Sequence, residues 1–346
     1  MAITAAMVKD LRDMTGAGMM DCKKALAATD GDMDKSVEFL REKGLAAAEK
    51  KAGRIAAEGI CGATVSADGK VAAIVEVNSE TDFVAKNETF REFVKAVVEQ
   101  AAKTETDDID AFLGESWALD TGKTVKEALS SQIAVIGENM NIRRFKKVTA
   151  SEGFIETYIH GGGRIGVLIE VESTVYNEVT REAAKNLAMQ IAAIAPKYVQ
   201  RTEISADYIE HEREILKAQA MNENTGKPES IIEKMIEGRL NKELKEICLV
   251  DQVYVKDGDL TVQKYLDAVA KEIGAPIAIK SFVRFETGEG IEKKEENFAE
   301  EVARQMGKKK TLPKKLQGKW EASKLSRVYA EHLENAVFSS VARDIQ

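Results

Sequence analysis

An α+β fold assembled from two copies of one hairpin-and-helix unit is what this chain predicts, on three observations. First, laid on itself at an offset of 94 (152 − 58), the chain aligns Glu58-Gly59 with Glu152-Gly153, Gly69 with Gly163, Glu76-Val77 with Glu170-Val171 and Ser79 with Ser173, without a gap. Second, apolar positions agree between those anchors: Ile60 with Phe154, Val65 with Ile159, Val71 with Ile165, Ile74 with Leu168 and Val75 with Ile169. Matching of this kind marks two structural copies of one unit. Third, each copy reads as a strand, a glycine turn, a strand and then a run with helical spacing.

The elements follow in order. Residues 1–54 read as a three-helix module. Its first helix starts at Thr4, carries Val8, Leu11 and Met14 at helical spacing, and ends at Thr15-Gly-Ala-Gly18. The second runs from about Met19 to Ala28 and stops before Asp30-Gly31; the third carries Val37, Leu40 and Leu45 into a basic, alanine-rich stretch. Three short helices make a small core. Met19 and Met20 either fill it or form a soft apolar contact patch, a use to which methionine is suited.

Copy one, 55–149, begins with strands near 59–66 and 70–78, joined at Ala67-Asp-Gly69, where Asp-Gly marks a hairpin turn. A helix over 88–103 presents Phe90, Phe93, Val94, Val97 and Val98 on one face. A polar excursion, 104–124, leads to an apolar run at 125–136 and an alternating strand at 140–148. Copy two, 150–200 and 249–290, repeats strand, glycine turn, strand and helix, and closes with a strand at 279–286. Measured to Phe145 and Phe285, it holds about 46 more residues than copy one (133 − 87). The surplus, 201–248, reads as an inserted antiparallel coiled-coil hairpin. One arm carries Tyr208, Ile215 and Leu216, the other Ile231, Met235, Ile236, Leu240, Leu244 and Ile247. A short C-terminal module occupies 291–307. Residues 308–346 follow as a lysine-rich linker around Pro313 and an extra amphipathic helical segment, to which the sequence assigns no role.

Composition narrows the function. The 346 residues balance 50 Lys and Arg against 58 Asp and Glu, a net charge of −8, which disfavours an extended phosphate backbone as partner. Met1-Ala-Ile-Thr shows neither a basic n-region nor an apolar h-region, so no secretory leader is predicted. Cys22, Cys61 and Cys248 are odd in number and far apart, as expected of a cytoplasmic protein. Several chemical signatures fail on context. Gly161-Gly-Gly-Arg-Ile-Gly166 spells a dinucleotide fingerprint, but a strand follows where a helix is needed. His160-Gly-Gly-Gly163 lacks an accompanying nucleophile elbow, Gly122-Lys-Thr124 lacks the upstream glycine of a phosphate loop, and the three histidines are too scattered for a zinc site. The sequence therefore predicts no enzyme, no metal and no cofactor. A metal- or nucleotide-dependent enzyme using His160, Asp82 and the glycine turn is the alternative.

The most informative segment is the turn at 78–87. It should be small and polar, yet it carries Phe83 between Asp82 and Val84, so the ring is either tucked under its own domain or offered to a partner. The other copy places Tyr176-Asn177 opposite Asp82-Phe83, and that asymmetry favours a task done by copy one alone.

The strings Thr15-Gly-Ala-Gly-Met-Met-Asp-Cys-Lys-Lys24, Glu80-Thr-Asp-Phe-Val84, Ile136-Gly-Glu-Asn139, His160-Gly-Gly-Gly-Arg-Ile-Gly-Val167 and Phe285-Glu-Thr-Gly-Glu-Gly-Ile-Glu292 resemble the bacterial elongation factor Ts family over about residues 1–307. The resemblance implies a UBA-like N-terminal module and a guanine-nucleotide exchange factor for elongation factor Tu, bound in its GDP and nucleotide-free states. It further implies that Thr81, Asp82, Phe83 and Val84 enter the partner's GTPase domain and dislodge Mg²⁺. Ile136 and Gly137 would stand beside that wedge, and His160 would press near the phosphate loop. Arg12, Met19, Met20 and Lys23 would dock the first module on the GTPase domain. No direct contact with nucleic acid or membrane is implied.

Overall fold

The computed structural model describes residues 3–223 and 229–292. The tail at 308–346, and all but the first two residues of the expected module at 291–307, lie outside the described residues. Helices α1 (Ala5–Thr15), α2 (Met19–Ala28) and α3 (Met33–Lys51) form the first module. Thr4 caps α1 by accepting from the Met7 N–H, and Gly16 ends it in the left-handed region at φ 68°. Val8, Leu11, Cys22, Ala25 and Leu26 make its core. Met19 and Met20 lie outside that core, 59% and 63% exposed, so they do not fill it. The module docks through α3, whose Arg41 grips Glu127 with two bonds of 3.1 and 2.5 Å.

Copy one comprises β1 (Glu58–Val65), β2 (Val71–Ser79), α4 (Asp82–Ala85), α5 (Glu88–Ala101), α6 (Ile109–Gly114), β3 (Ser116–Trp117), β4 (Asp120–Thr124), α7 (Val125–Ile136) and β5 (Met140–Thr149). Copy two comprises β6 (Phe154–His160), β7 (Ile165–Ser173), α8 (Glu178–Ile194), α9 (Ala206–Glu223), α10 (Glu229–Ile247), β8 (Val253–Tyr254), β9 (Asp257–Thr261), α11 (Val262–Ile273) and β10 (Ile277–Glu286). The excursion at 104–124 is thus a short helix and a hairpin rather than a bare loop, and its counterpart in copy two, with α11, was not anticipated. Each copy is a three-stranded antiparallel sheet, β1-β2-β5 or β10-β7-β6, with the second strand in the middle. Gly59 and Gly153 open the copies at positive φ, where a Cβ would come within 2.2 and 1.9 Å of a carbonyl on the neighbouring strand. That is why the same Glu-Gly pair starts both.

The two sheets meet face to face through Cys61, Ala72, Ile74, Ile155, Leu168 and Phe285. Ala73, Val75 and Val77 on the other face of β2 pack with Phe90, Phe93, Val94 and Val97 of α5; Val167, Ile169 and Val171 of β7 pack with Leu187 and Ile191 of α8. Both faces of the central strands are covered, so they read as continuous apolar runs rather than alternating ones. Each nevertheless carries one buried glutamate on its inter-sheet face. Glu76, wholly buried, accepts from Arg143 Nη1 at 3.1 Å, Arg144 Nε at 2.6 Å, Asn78 Nδ2 at 3.0 Å and the Gly288 N–H at 2.8 Å. Glu170 accepts from Lys280 Nζ and Ser281 Oγ, each at 2.8 Å. The cations sit at matching register shifts of β5 and β10, where Arg143 and Lys280 are the extra residues.

These matches set the closing strands 137 apart, Ile142 with Ile279 and Phe145 with Phe282. Copy two is therefore longer by 43 residues (137 − 94), not 46; the larger figure came from measuring to Phe285. In the inserted region α9 and α10 pack against each other. Ile236, Leu240 and Leu244 are buried there, whereas Ile215 and Ile231, expected on the seam, are exposed. Among the described residues no helix is long and apolar enough to cross a membrane.

Burial pushes the Glu76 carboxyl up, but the Gly288 N–H, Asn78 and Arg144 outweigh it and hold the group below its ordinary value near 4.5. Folding depresses this pKa, so its stabilisation is fully present above the ordinary value and fades as pH falls through the lower folded one. Glu76→Gln is expected to cost about 3–5 kcal/mol at neutral pH by leaving Arg143 and Arg144 without their buried counter-charge. The variant should also lose part of the acid-induced fall in stability below about pH 4.5. Urea unfolding across pH checks both, and an unchanged midpoint with an unchanged acid slope would remove the carboxylate from this account.

Candidate functional site

The turn between β2 and α5 is built by two caps six residues apart. Thr81 Oγ1 accepts from the Val84 N–H at 3.4 Å and starts α4; Asn87 Oδ1 accepts from the Phe90 N–H at 3.2 Å and starts α5. Asn87 is extended, at φ −69° and ψ 133°, so α4 cannot run on into α5 and remains a single turn. Copy two lacks this turn. Its matching cap, Asn177, follows Asn87 by 90 residues, against the 94 that separates the preceding strands.

The four residues expected to act together divide by environment. Val84 is buried in the first core, and Thr81 is partly covered. Asp82 is half exposed and Phe83 is 79% exposed, the most exposed large apolar side chain among the described residues. Asp82 is not a free charge: Lys86 Nζ lies 2.6 Å from it, one helical turn on. That hydrogen bond, opposed by slight desolvation, holds the Asp82 carboxyl below its ordinary range. An exposed pair of this kind is weak and exchangeable.

Ile136 and Gly137 come to the same place through their neighbours. Gly137 ends α7 in the left-handed region at φ 90°, turning the chain so that Glu138 faces the base of α4. Glu138 accepts from the Thr81 N–H at 3.0 Å and from Thr81 Oγ1 at 2.7 Å. In the other direction Glu80 accepts from the Asn139 N–H and pairs with Arg54, while Asn139 Nδ2 donates to the Arg54 carbonyl at 2.7 Å. Ile136 itself is half-buried against the first core.

A cleft of about 230 Å³ joins this turn to the glycine turn of copy two, lined by Asp82, Ala85, Lys86 and Arg91 on one side and Gly161, Gly162 and Arg164 on the other. Arg91 spans it, donating to the Ala85 carbonyl at 3.1 Å and to the Gly162 carbonyl at 3.0 Å. His160 stands at the start of the glycine turn, exposed, with Nδ1 2.9 Å from the Tyr158 hydroxyl. It does not line the cleft. Arg12, Met19, Met20 and Lys23 line a second groove, of about 390 Å³, between α1 and α2, together with Ile3, Val8 and Lys9. The expected residues thus fall into two sets, one around α4 and one in the first module, with His160 apart from both at the glycine turn of copy two. Lys86 and Arg91 were not singled out in the sequence, and Glu80, Glu138 and Asn139 stood in the resembling strings without a role. Lys86 was readable as the i,i+4 partner of Asp82; the contacts of Glu138 with Thr81, Glu80 with Asn139 and Arg91 with Gly162 join segments too far apart for spacing to reveal.

An exposed ring on a supported turn contributes little to its own fold. Phe83→Ala is expected to change the free energy of unfolding by less than about 0.5 kcal/mol, while Phe90→Ala, buried beneath the same turn, should cost about 3–5 kcal/mol. Denaturant titration of the two variants side by side reads this directly; equal losses would put Phe83 in the core.

Comparison with known proteins agrees in one direction. The family described as Elongation factor TS matches residues 80–289. Elongation factor Ts of Clostridium novyi (strain NT) is 56% identical over 307 residues, 89% of this chain and all of that protein. The elongation factor Ts proteins of Clostridium tetani (strain Massachusetts / E88) and Clostridium perfringens (strain 13 / Type A) are each 55% identical, over 304 and 306 residues, 88% of this chain and 99% and 100% of theirs.

Proposed function

This chain belongs to the elongation factor Ts family of translation factors, and we propose that it is the guanine-nucleotide exchange factor that binds elongation factor Tu carrying GDP and speeds GDP release in the cytoplasm. The observation that carries the reading is Phe83, held 79% exposed on a single helical turn that copy one has and copy two lacks. The reaction is an exchange of non-covalent ligands, so the chain needs no nucleophile, acid or base of its own.

The mechanism is one of competing fits. A GTPase holds GDP through backbone donors around the phosphates and through Mg²⁺. Phe83 enters between elements of the partner's nucleotide domain as a wedge, and the Asp82 carboxylate, exchanging its weak Lys86 contact, unsettles the groups around the metal. Val84 roots the wedge in the core of copy one. His160, with its ring steadied by Tyr158, presses near the phosphate loop from copy two. Arg12, Met19, Met20 and Lys23 supply a mixed apolar and cationic dock in the first module, and Ile136-Gly137 supports the wedge. Binding to the nucleotide-free partner must exceed binding to the loaded one, and by linkage GDP weakens the factor's hold by the same ratio.

Catalytic amounts of this chain are expected to accelerate GDP release from purified elongation factor Tu. Phe83→Ala should slow the stimulated release about tenfold or more, at about 1.4 kcal/mol of barrier per decade. The stimulation of the parent should shrink as Mg²⁺ is chelated, because the metal's share of the barrier is then already gone. Stimulation that stays flat across free Mg²⁺ contradicts the metal step, and nucleotide hydrolysis by the chain alone would point to an enzyme instead.

The proposal also confines exchange to residues 1–307. A chain ending at Gly307 is expected to fold and to exchange GDP within about twofold of full length, roughly 0.4 kcal/mol in the barrier. Aggregation or loss of most activity would make the tail part of the working structure.

A further inference from the structure

The geometry points to Glu138 as a positioning residue for the Phe83 wedge, acting through a reciprocal clasp between the 80–81 and 138–139 segments. The inference rests on the exchange reading above. Glu138 fixes both the backbone and the side chain of Thr81, the residue immediately before Asp82-Phe83, with bonds of 3.0 and 2.7 Å. Glu80 returns the grip by accepting from the Asn139 N–H. Thr81 Oγ1 is donor and acceptor at once, giving its proton to Glu138 and receiving the Val84 N–H at 3.4 Å.

Why the clasp is needed follows from the size of α4. It has four residues, too few internal hydrogen bonds to hold a helical turn unaided, since the first turn fixes several dihedrals for one bond. Its cap contact, at 3.4 Å, is long. The ring at its tip packs on little, so its direction is set by the base of the turn. A carboxylate accepting a backbone N–H and a hydroxyl together makes two charge-assisted bonds at that base.

The repeat supplies an internal control. At the spacing of 94, Glu80 and Thr81 correspond to Thr174 and Val175; at 137, Glu138 and Asn139 correspond to Ala275 and Pro276. Copy two therefore has neither carboxylate, neither the threonine hydroxyl nor the second backbone donor, and no one-turn helix to hold. Clasp and wedge occur together in one copy and are absent together from the other.

The test is a double-mutant cycle read by GDP release from elongation factor Tu. Glu138→Ala is expected to slow stimulated release about tenfold in the parent, but less than about twofold in a Phe83→Ala background, because a group that acts through the ring has nothing left to position. Glu138→Gln keeps volume and one acceptor and should give an intermediate loss of about threefold; the same comparison is made on it if the alanine variant fails to fold. Hydrogen exchange of the Thr81 amide should quicken in either variant while that of the Val75 amide in β2 does not. A working parent with Glu138→Ala inside twofold of it overturns the inference alone, as do equal losses in both backgrounds. A parent that fails to stimulate release overturns the exchange reading and this inference with it.

Discussion

Both faces of β2 and β7 must be dry, and the rest of the molecule is arranged around that constraint. One three-stranded sheet with a helix on one side leaves the other side of its central strand in water, and Ala72 and Ile74, or Leu168, would have no cover. Stacking two copies supplies the cover and places a carboxylate from each central strand inside the interface. A buried glutamate without partners is costly. The fold meets that cost with extra residues in the closing strands, which aim Arg143 and Lys280 at Glu76 and Glu170. In copy one the arrangement also catches the Gly288 N–H and, through Arg143, the Glu289 carbonyl at 2.6 Å, so the chain leaving β10 is tied across to the other sheet.

With the sheets so constrained, the copies differ where the constraint is absent, in the turns beyond the strands. Copy two keeps its β7–α8 turn short and uses it for adhesion: Tyr176 packs against Phe154 with tilted rings at 4.9 Å, its hydroxyl over Gly69 of the opposite hairpin. Copy one adds four residues at the same place (94 − 90), which form α4, seated on the core through Val84 and Ala85 with Phe83 turned outward. Copy two adds 47 residues elsewhere (137 − 90), between α8 and β8, as α9 and α10 with their approaches. Between these changes the pattern returns. Gln100 donates to the Ser116 carbonyl at 2.9 Å and accepts from the Ala118 N–H at 2.9 Å; Gln190 does the same with Val253 and Val255 at 3.0 and 2.8 Å.

That pattern explains how much could be read beforehand. The spacing of 94 and the first two strands of each copy were legible because nothing is inserted between residues 58 and 79. The turn at 78–87 stood out because a phenylalanine in a polar turn contradicts local chemistry, though its single helical turn was not legible. Beyond the turn the spacing changes to 90 and then to 137, and an ungapped comparison loses the match. Hence α11 and the β8–β9 hairpin went unread, although Trp117, Asp120, Thr124 and Val125 have counterparts in Tyr254, Asp257, Thr261 and Val262. The exposure of Met19 and Met20 was undecidable for a different reason: on helices this short, pattern alone does not say which face meets the partner helices. Val84 was grouped with Phe83 by motif, whereas a single helical turn points adjacent side chains in different directions. Glu138 lies 57 residues from Thr81, and no periodicity links them.

A rigid base and an exchangeable tip make physical sense together in a wedge. Burying a phenylalanine side chain in a partner is worth about 1.5–3 kcal/mol. A side chain that must first be ordered forfeits about 0.5–1.5 kcal/mol of that, so holding α4 in place beforehand keeps most of the gain for the complex. Tight burial alone would not release nucleotide, since a factor that binds the loaded and empty partner equally well shifts nothing. The discrimination has to come from groups whose contacts change as the metal and phosphates leave. In the proposed mechanism Asp82 takes that part, because its bond to Lys86 is exposed and lightly held and either charge can be redirected without unfolding the turn. On the same proposal the ring of Phe83 is accommodated fully only once the partner's nucleotide site has opened, and the charged pair beside it adds to that preference for the empty partner.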